Sequence, residues 1–131
     1  MTGTYLDSSA LVKLVFEADE SQPLRRFLRA VPLRFCSVIG GVEVLRVARS
    51  AADEVVQLHA RQLLEHTHLV EVSPAISRRA AHLDPLTLRA LDAIHLATAL
   101  SLEPDVDGMV VYDKRLAAAA RSAGLRVWAP A

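Results

Sequence analysis

Short strand-like runs alternate with amphipathic helical segments along the chain, and this alternation limits the fold more than any other feature. The predicted strands cover residues 4–7, 34–38, 68–73, 108–112 and 125–128. The predicted helices cover residues 10–18, 21–30, 39–51, 53–66, 75–82, 86–102 and 114–123. Strands separated by helices of this length form a mostly parallel sheet with helices on both faces. We therefore predict an α/β three-layer sandwich with a mostly parallel sheet of about five strands.

The length of the chain and the distribution of its apolar residues favour one domain that spans residues 1–131. The 131 residues are 52% hydrophobic, and the sequence shows no repeat and no linker. No apolar run approaches the roughly 18 residues that a membrane span requires, and no secretory signal is visible at the N-terminus. Cys36 is the single cysteine, which suits a reducing compartment. We expect a cytoplasmic protein without membrane association.

The charge balance bears on nucleic-acid binding. Fifteen basic and fifteen acidic residues give a net charge of zero. This balance argues weakly against broad, non-specific binding to nucleic acid, which depends on excess positive charge, but it leaves room for a local basic rim. The chain has only three Phe, two Tyr and one Trp, so a platform of aromatic side chains for base stacking is not expected.

Acidic residues lie where the predicted strands end. Asp7 and Asp113 close the first and fourth strands, Glu43 follows the second, and Asp92 interrupts an otherwise apolar predicted helix. Ligands of open α/β sheets bind beyond the carboxyl ends of the strands. Carboxylates gathered there repel one another unless protons or a hard cation relieve them. Taken together, these positions predict a divalent-metal site.

Each acidic residue also has a simpler explanation. Asp7 and Asp113 directly precede predicted helices and could serve as N-caps, while Glu43 could be a solvated surface residue. Asp92 is harder to explain in this way, because its neighbours in the helix are apolar and an unpaired aspartate is almost never fully buried. His95 lies one turn beyond Asp92, and packing or hydrogen bonding within the helix layer is favoured for it over a place in the cleft.

The types of ligand available favour Mg²⁺ or Mn²⁺ over zinc. The chain has no Cys-x-x-Cys or His-x-x-x-His pair, whereas oxygen ligands suit these hard cations. A cation of this kind polarises a phosphoryl oxygen and activates a bound water, which is the chemistry of nucleases and phosphatases. Motifs of P-loop proteins, dinucleotide-binding folds and α/β-hydrolases are absent from the sequence.

With these residues located, the chain resembles the PIN-domain ribonucleases, and in particular toxins of the VapC type. The resemblance rests on four segments in the family's order, which are residues 5–14, 42–46, 91–99 and 111–116. It spans nearly the whole chain, and the segment Leu-Asp-Ala-Ile-His-Leu-Ala-Thr-Ala at 91–99 is its most specific part.

The resemblance implies a Mg²⁺- or Mn²⁺-dependent endoribonuclease that acts as the toxin of a toxin–antitoxin pair. Such toxins cleave tRNA or rRNA, usually as homodimers, and a small cognate antitoxin neutralises them by placing a tail over the acidic pocket. Asp7, Glu43, Asp92 and Asp113 are carried over as the catalytic, metal-binding carboxylates. Ser9 is expected to support Asp7 by a hydrogen bond. The alternative is a catalytically weak or inactive PIN module that binds RNA or protein.

Further expectations concern surfaces and departures from the family pattern. Arg46, Lys114 and Arg115 are candidates for positioning RNA phosphates, or for a purely solvated role.

Val111 stands where the family often carries a hydroxyl, and Gly40-Gly41 is expected to weaken a helix start, so that either feature could loosen the metal site. The early helices are rich in apolar residues, which predicts an exposed patch for a homodimer; these residues are Leu11, Leu14, Val15, Phe16, Leu24, Phe27 and Leu28.

Overall fold

Five parallel strands form the centre of the protein. The computed structural model describes residues 2–131. The strands are β1 (Gly3–Leu6), β2 (Arg34–Ser37), β3 (His68–Val70), β4 (Val106–Val110) and β5 (Arg126–Trp128). Their order in the sheet is β3-β2-β1-β4-β5, and each neighbouring pair is parallel. The predicted α/β class with a parallel five-stranded sheet is confirmed.

Seven helices flank this sheet over the residues that the structure describes. They are α1 (Ser8–Val15), α2 (Ser21–Ala30), α3 (Val38–Ser50), α4 (Glu54–Glu65), α5 (Pro74–Ala81), α6 (Ala90–Ser101) and α7 (Lys114–Ser122). Helices α1, α3 and α4 pack against one another, and α5 packs on α6. No helix among residues 2–131 has both the length and the apolar character that a membrane crossing needs.

The centre of the sheet is also the centre of the core. Every residue of β1 is buried, and Tyr5 and Leu6 have no exposed surface. Because β1 lies between β2 and β4, the residue that follows it opens onto the carboxyl edge of the sheet between two neighbouring strands. This is the position at which open parallel sheets bind their ligands.

One predicted helix begins later than expected, and this changes the setting of Asp92. Helix α6 begins at Ala90 instead of residue 86, because a turn closed by the Leu88 N–H and the Pro85 carbonyl precedes it. Asp92 therefore lies in the first turn of α6 and is half-buried. The predicted helix start at residue 86 was wrong, so Asp92 lies at the N-terminus of the helix and not in its interior. A carboxylate at this position is instead favoured by the partial positive charge at the helix N-terminus.

The exposed apolar patch expected on the first two helices was wrong, because their apolar side chains are largely covered. Leu11, Leu14, Leu24 and Leu28 are buried in the core, and Phe27 packs on Trp128. The first two helices use this apolar surface to cover the sheet, so it is not available to a partner. The exposed apolar side chains are concentrated instead on α3 and α4, namely Val42, Leu45, Val47, Val55 and Leu58.

Candidate acidic site

Asp7 follows β1 directly and caps α1. Its Oδ1 accepts hydrogen bonds from the Ala10 N–H and the Ser9 hydroxyl, both at 2.9 Å. The expected support from Ser9 is therefore present. Only 4% of Asp7 is exposed, and this burial raises the pKa of its carboxyl, while the bonds from Ala10 and Ser9 oppose the rise. A positive charge near Asp7 would stabilise its ionised form.

Asp113 caps α7 in a similar way. It lies three residues beyond the end of β4, and its Oδ1 accepts from the N–H groups of Arg115 at 2.7 Å and Leu116 at 3.1 Å. The simple explanation of Asp7 and Asp113 as N-caps is thus correct for one oxygen of each. Oδ2 of Asp113 takes no part in this cap and faces Arg89 at 3.7 Å.

Arg89 links two of the acidic residues. Its guanidinium lies 3.6 Å from Oδ2 of Asp92 and 3.7 Å from Oδ2 of Asp113. Partial burial raises the pKa of Asp92; Arg89 lowers it, and the charge of Asp113 raises it further. Sequence reasoning gave Arg89 no role, although its position three residues before Asp92 on a helix start is a signal that could have indicated one.

Glu43 reaches the site from α3 and is held by His95. The distance between Glu43 Oε1 and His95 Nε2 is 3.0 Å. This bond lowers the pKa of the Glu43 carboxyl against the opposing effect of burial, with a smaller contribution from the Ser8 hydroxyl. The favoured prediction for His95 was packing or hydrogen bonding within the helix layer, and its bond to Glu43 joins α6 to α3, whereas its second partner is Tyr5 of the sheet. Glu43 is an acidic residue of the candidate site, which agrees with the alternative that His95 faces the cleft.

The four carboxylates share one electrostatic neighbourhood. The charge of Asp92 raises the pKa of Asp7, and the charges of Asp113 and Glu43 raise the pKa of Asp92. Within residues 2–131, however, no group of three or more His, Cys, Asp or Glu side chains is arranged to hold one ion directly. The oxygen-only set fits a hard cation that keeps several of its waters and takes one or two carboxylates, and it does not fit a closed protein cage.

Exposed basic side chains and two cavities lie on the elements that carry the acidic residues or beside them. Arg46, Lys114 and Arg115 are all exposed. A cavity of about 660 Å³ lies beside Arg115, between α7 and the loop that carries Asp84, Pro85 and Leu88. A second cavity of about 380 Å³ adjoins Glu43, between α1 and α3. Only the second cavity is lined by one of the four carboxylates.

The two departures from the family pattern are Val111 and the pair Gly40-Gly41. Val111 is buried in the core, and its N–H donates to the Trp128 carbonyl. The pair Gly40-Gly41 does not interrupt α3, which begins at Val38 with the Ser37 hydroxyl accepting from the Ile39 N–H. Gly40 is required by close packing, since a Cβ there would overlap Cys36 Sγ and lie 3.1 Å from His95 Cε1.

Comparison with known proteins places this arrangement in a family. The sequence profile of the PIN domain matches residues 4–122. The chain belongs to the PIN-domain family. The family resemblance read from the four sequence segments is confirmed, and the match covers the strands and helices that carry Asp7, Glu43, Asp92 and Asp113.

Relatives of this PIN domain carry ribonuclease names. It is 40% identical over 130 residues to Ribonuclease VapC46 of Mycobacterium tuberculosis, with 99% of each chain covered. It is 33% identical over 130 residues to Ribonuclease VapC47 of the same species, with 96% of each chain covered. These relatives are matched along nearly their whole length.

Solved structures share the fold of this PIN domain. A toxin–antitoxin complex from Klebsiella pneumoniae contains a chain with a TM-score of 0.77 and 22% identity, covering 98% of both chains. The Mycobacterium tuberculosis toxin VapC20, described as cleaving the sarcin–ricin loop, gives a TM-score of 0.72 at 14% identity, covering 95% of this chain and 97% of that one. At these identities the likeness concerns the fold alone.

Proposed function

We propose that this PIN domain is a metal-dependent endoribonuclease and the toxin of a toxin–antitoxin pair. The observation that carries the proposal is the neighbourhood of Asp7, Glu43, Asp92 and Asp113 at the carboxyl edge of the sheet, in a chain that is 40% identical to a named ribonuclease. The substrate class is structured RNA, with tRNA or rRNA as the first candidates. Such a protein acts in the cytoplasm, where these RNAs are found.

The acidic residues divide into two groups in this proposal. Asp7, Asp92 and Asp113 would hold a Mg²⁺ or Mn²⁺ ion, one or two of them directly and the rest through its waters, and Glu43 would hold a further water in its shell. Each of the two capping aspartates has one oxygen committed to a helix N-terminus, which fixes its orientation. When bound, the cation would lower the pKa of a water and stabilise negative charge on the phosphate.

The basic side chains suit the RNA backbone. Lys114 and Arg115 project from the first turn of α7 beside Asp113, and Arg46 lies one turn after Glu43 on α3. All three are exposed, so each can bind a phosphate without breaking a buried contact. Arg89 offsets part of the negative charge of Asp92 and Asp113 in the metal-free chain, and it becomes available to a phosphate when a metal replaces it.

The proposed partners are a cognate antitoxin and a second copy of the chain. The cavity beside Glu43 continues along apolar side chains of Val12, Phe16 and Val47, which would accept an apolar antitoxin segment. A basic residue of that segment would reach the carboxylates and take the place of the metal's charge. The exposed apolar surface of α4 remains available to a homodimer.

The experiment is RNA cleavage by the purified chain with and without Mn²⁺, using total tRNA and rRNA. We expect cleavage that requires the metal and is abolished in Asp92→Asn. Glu103→Gln is the matched control, because Glu103 is an exposed acidic residue outside the site. Wild-type cleavage by Asp92→Asn would contradict the site, and RNA binding without any cleavage would support the catalytically inactive alternative.

A further inference from the structure

A buried chain of hydrogen bonds connects the end of β2 to Glu43. The Ser37 N–H donates to the Tyr5 hydroxyl at 3.0 Å, the Tyr5 hydroxyl lies 2.7 Å from His95 Nδ1, and His95 Nε2 lies 3.0 Å from Glu43 Oε1. Tyr5 is fully buried and only 1% of His95 is exposed. The chain of hydrogen bonds therefore joins four separate elements, β2, β1, α6 and α3.

The order of donors and acceptors along this chain is set by the carboxylate at its end. An ionised Glu43 can only accept, so His95 Nε2 carries a proton and donates it to Oε1. In the neutral imidazole Nδ1 then accepts from the Tyr5 hydroxyl, whose oxygen accepts from the Ser37 N–H. Each group thus has the partner that its chemistry requires.

Packing leaves the two rings little freedom. The Tyr5 and His95 rings meet edge to face with centroids 5.9 Å apart. The absence of a side chain at Gly40 makes room for both His95 and Cys36, since a Cβ at that position would collide with the sulfur. A histidine held at both nitrogens and packed against a neighbouring ring can fix the side chain that it contacts.

We propose that His95, held by Tyr5, is a positioning residue that fixes the orientation of Glu43 for its role at the acidic site. This inference rests on the proposed function. The bond from Nε2 occupies Oε1 of Glu43 and turns a side chain that is 31% exposed into an ordered one, with Oε2 left for the water of a bound cation. Partners that orient a ligand in this way are as much a part of a metal site as the ligands.

The first test measures the His95 tautomer in the wild-type chain without any substrate. Correlation spectra of ¹⁵N-histidine-labelled protein near neutral pH should show His95 with its proton on Nε2. A proton on Nδ1 would overturn the inference. This measurement does not depend on catalysis, so it decides the arrangement of the chain even if the protein cleaves no RNA and the proposed function fails.

The second test compares kinetics across variants. Tyr5→Phe keeps the ring and removes the link to His95, and His95→Gln removes the imidazole. Each should lower kcat by about 10- to 100-fold and weaken Mn²⁺ dependence to a similar extent, with KM for RNA nearly unchanged. The double variant His95→Gln with Glu43→Gln should be no slower than Glu43→Gln alone, because both substitutions remove the same interaction.

Thr98→Val is the matched control for loss of a buried polar group on the same helix. The Thr98 hydroxyl is buried and donates only to the Ile94 carbonyl of its own helix. We expect this variant to keep wild-type kcat and Mn²⁺ dependence. The positioning role would be overturned if folded Tyr5→Phe protein keeps the wild-type kcat. It would also be overturned if the loss of kcat in the double variant equals the combined losses of the two single variants.

Discussion

The guanidinium of Arg89 lies 3.7 Å from Oδ2 of Asp113, although the two residues belong to the starts of different helices. The same guanidinium contacts Asp92 at 3.6 Å. Arg89 thus supplies an internal positive charge to two of the proposed ligands, and a metal ion must compete with it. Because 79% of the Arg89 side chain is exposed, solvent weakens this competition.

Replacement of Arg89 by glutamine should therefore favour the metal. We expect the Kd for Mn²⁺ to fall by roughly two- to fivefold, the range that an exposed ion pair supports. Isothermal titration of the metal into wild-type and Arg89→Gln protein measures this directly. Arg78→Gln, which removes an exposed arginine on α5, is the control. An unchanged or weaker metal affinity in Arg89→Gln would count against the competition.

Asp7→Asn should remove cleavage and yet stabilise the metal-free chain. Burial raises the pKa of Asp7 in the folded state, so ionisation at neutral pH works against folding. The gain in stability from asparagine should be absent at a pH below the pKa of Asp7 in the unfolded chain. It should grow as the pH rises and reach its maximum above the raised pKa of Asp7 in the folded chain. Urea unfolding of both proteins across the acid-to-neutral range measures the difference.

Asp7→Ala separates charge from capping. Asn can still accept the bond from the Ala10 N–H, whereas Ala cannot, and loss of an N-cap costs about 1 kcal/mol. We expect Asp7→Ala to be less stable than Asp7→Asn at every pH. Equal stability of the two variants would show that the cap contributes nothing.

Binding of a divalent metal should raise the stability of the wild-type chain. A ligand that binds only the folded state adds about 2.7 kcal/mol at a hundredfold excess over its Kd. Thermal melts with Mn²⁺ at low salt should shift upward in the wild type and not in Asp92→Asn or Asp113→Asn. An equal shift in all three proteins would place the metal elsewhere.

The exposed surface of α4 should govern self-association. Val55 and Leu58 are 75% and 48% exposed, which is a large apolar area for a helix facing solvent. We expect Val55→Lys with Leu58→Lys to convert a dimer to a monomer without loss of folding. Light scattering over a range of concentrations measures the change, and a wild-type chain that is monomeric throughout would exclude the dimer.

Cys36 should be unreactive in the folded protein. Burial is the main cause that raises the pKa of its thiol to about 12, so almost no thiolate is present near pH 8. Reaction with a disulfide reagent should proceed at the rate of unfolding, and it should become immediate in denaturant. Rapid labelling of the folded chain would mean that the region around Cys36 opens locally.

The sequence was sufficient for the fold because its signals are local. Strand-like runs at 34–38 and 108–112 and the caps at Asp7 and Asp113 each depend on a few neighbouring residues, and the parallel arrangement follows from the helices between them. Element ends were less accurate. The predicted helix at 86–102 overlooked the turn that delays α6 until Ala90.

The side-chain contacts within the candidate site could not be predicted from local sequence signals. The pairs His95–Glu43 and Tyr5–His95 join residues 52 and 90 positions apart, and no local pattern specifies them. The link between Arg89 and Asp113 is of the same kind. The four acidic residues themselves were identified by position, and their role as metal ligands remains a prediction.

Because Gly40 has no side chain, Cys36 and His95 can occupy the space beside it, and positions 36, 40 and 95 therefore depend on one another in evolution. An alanine at position 40 would collide with the sulfur of Cys36 and press on the ring of His95. Such a change can persist only if residue 36 becomes smaller or residue 95 moves, and a displaced His95 would release Glu43. In related chains we therefore expect the residues at positions 36, 40 and 95 to change together, because the three share one volume.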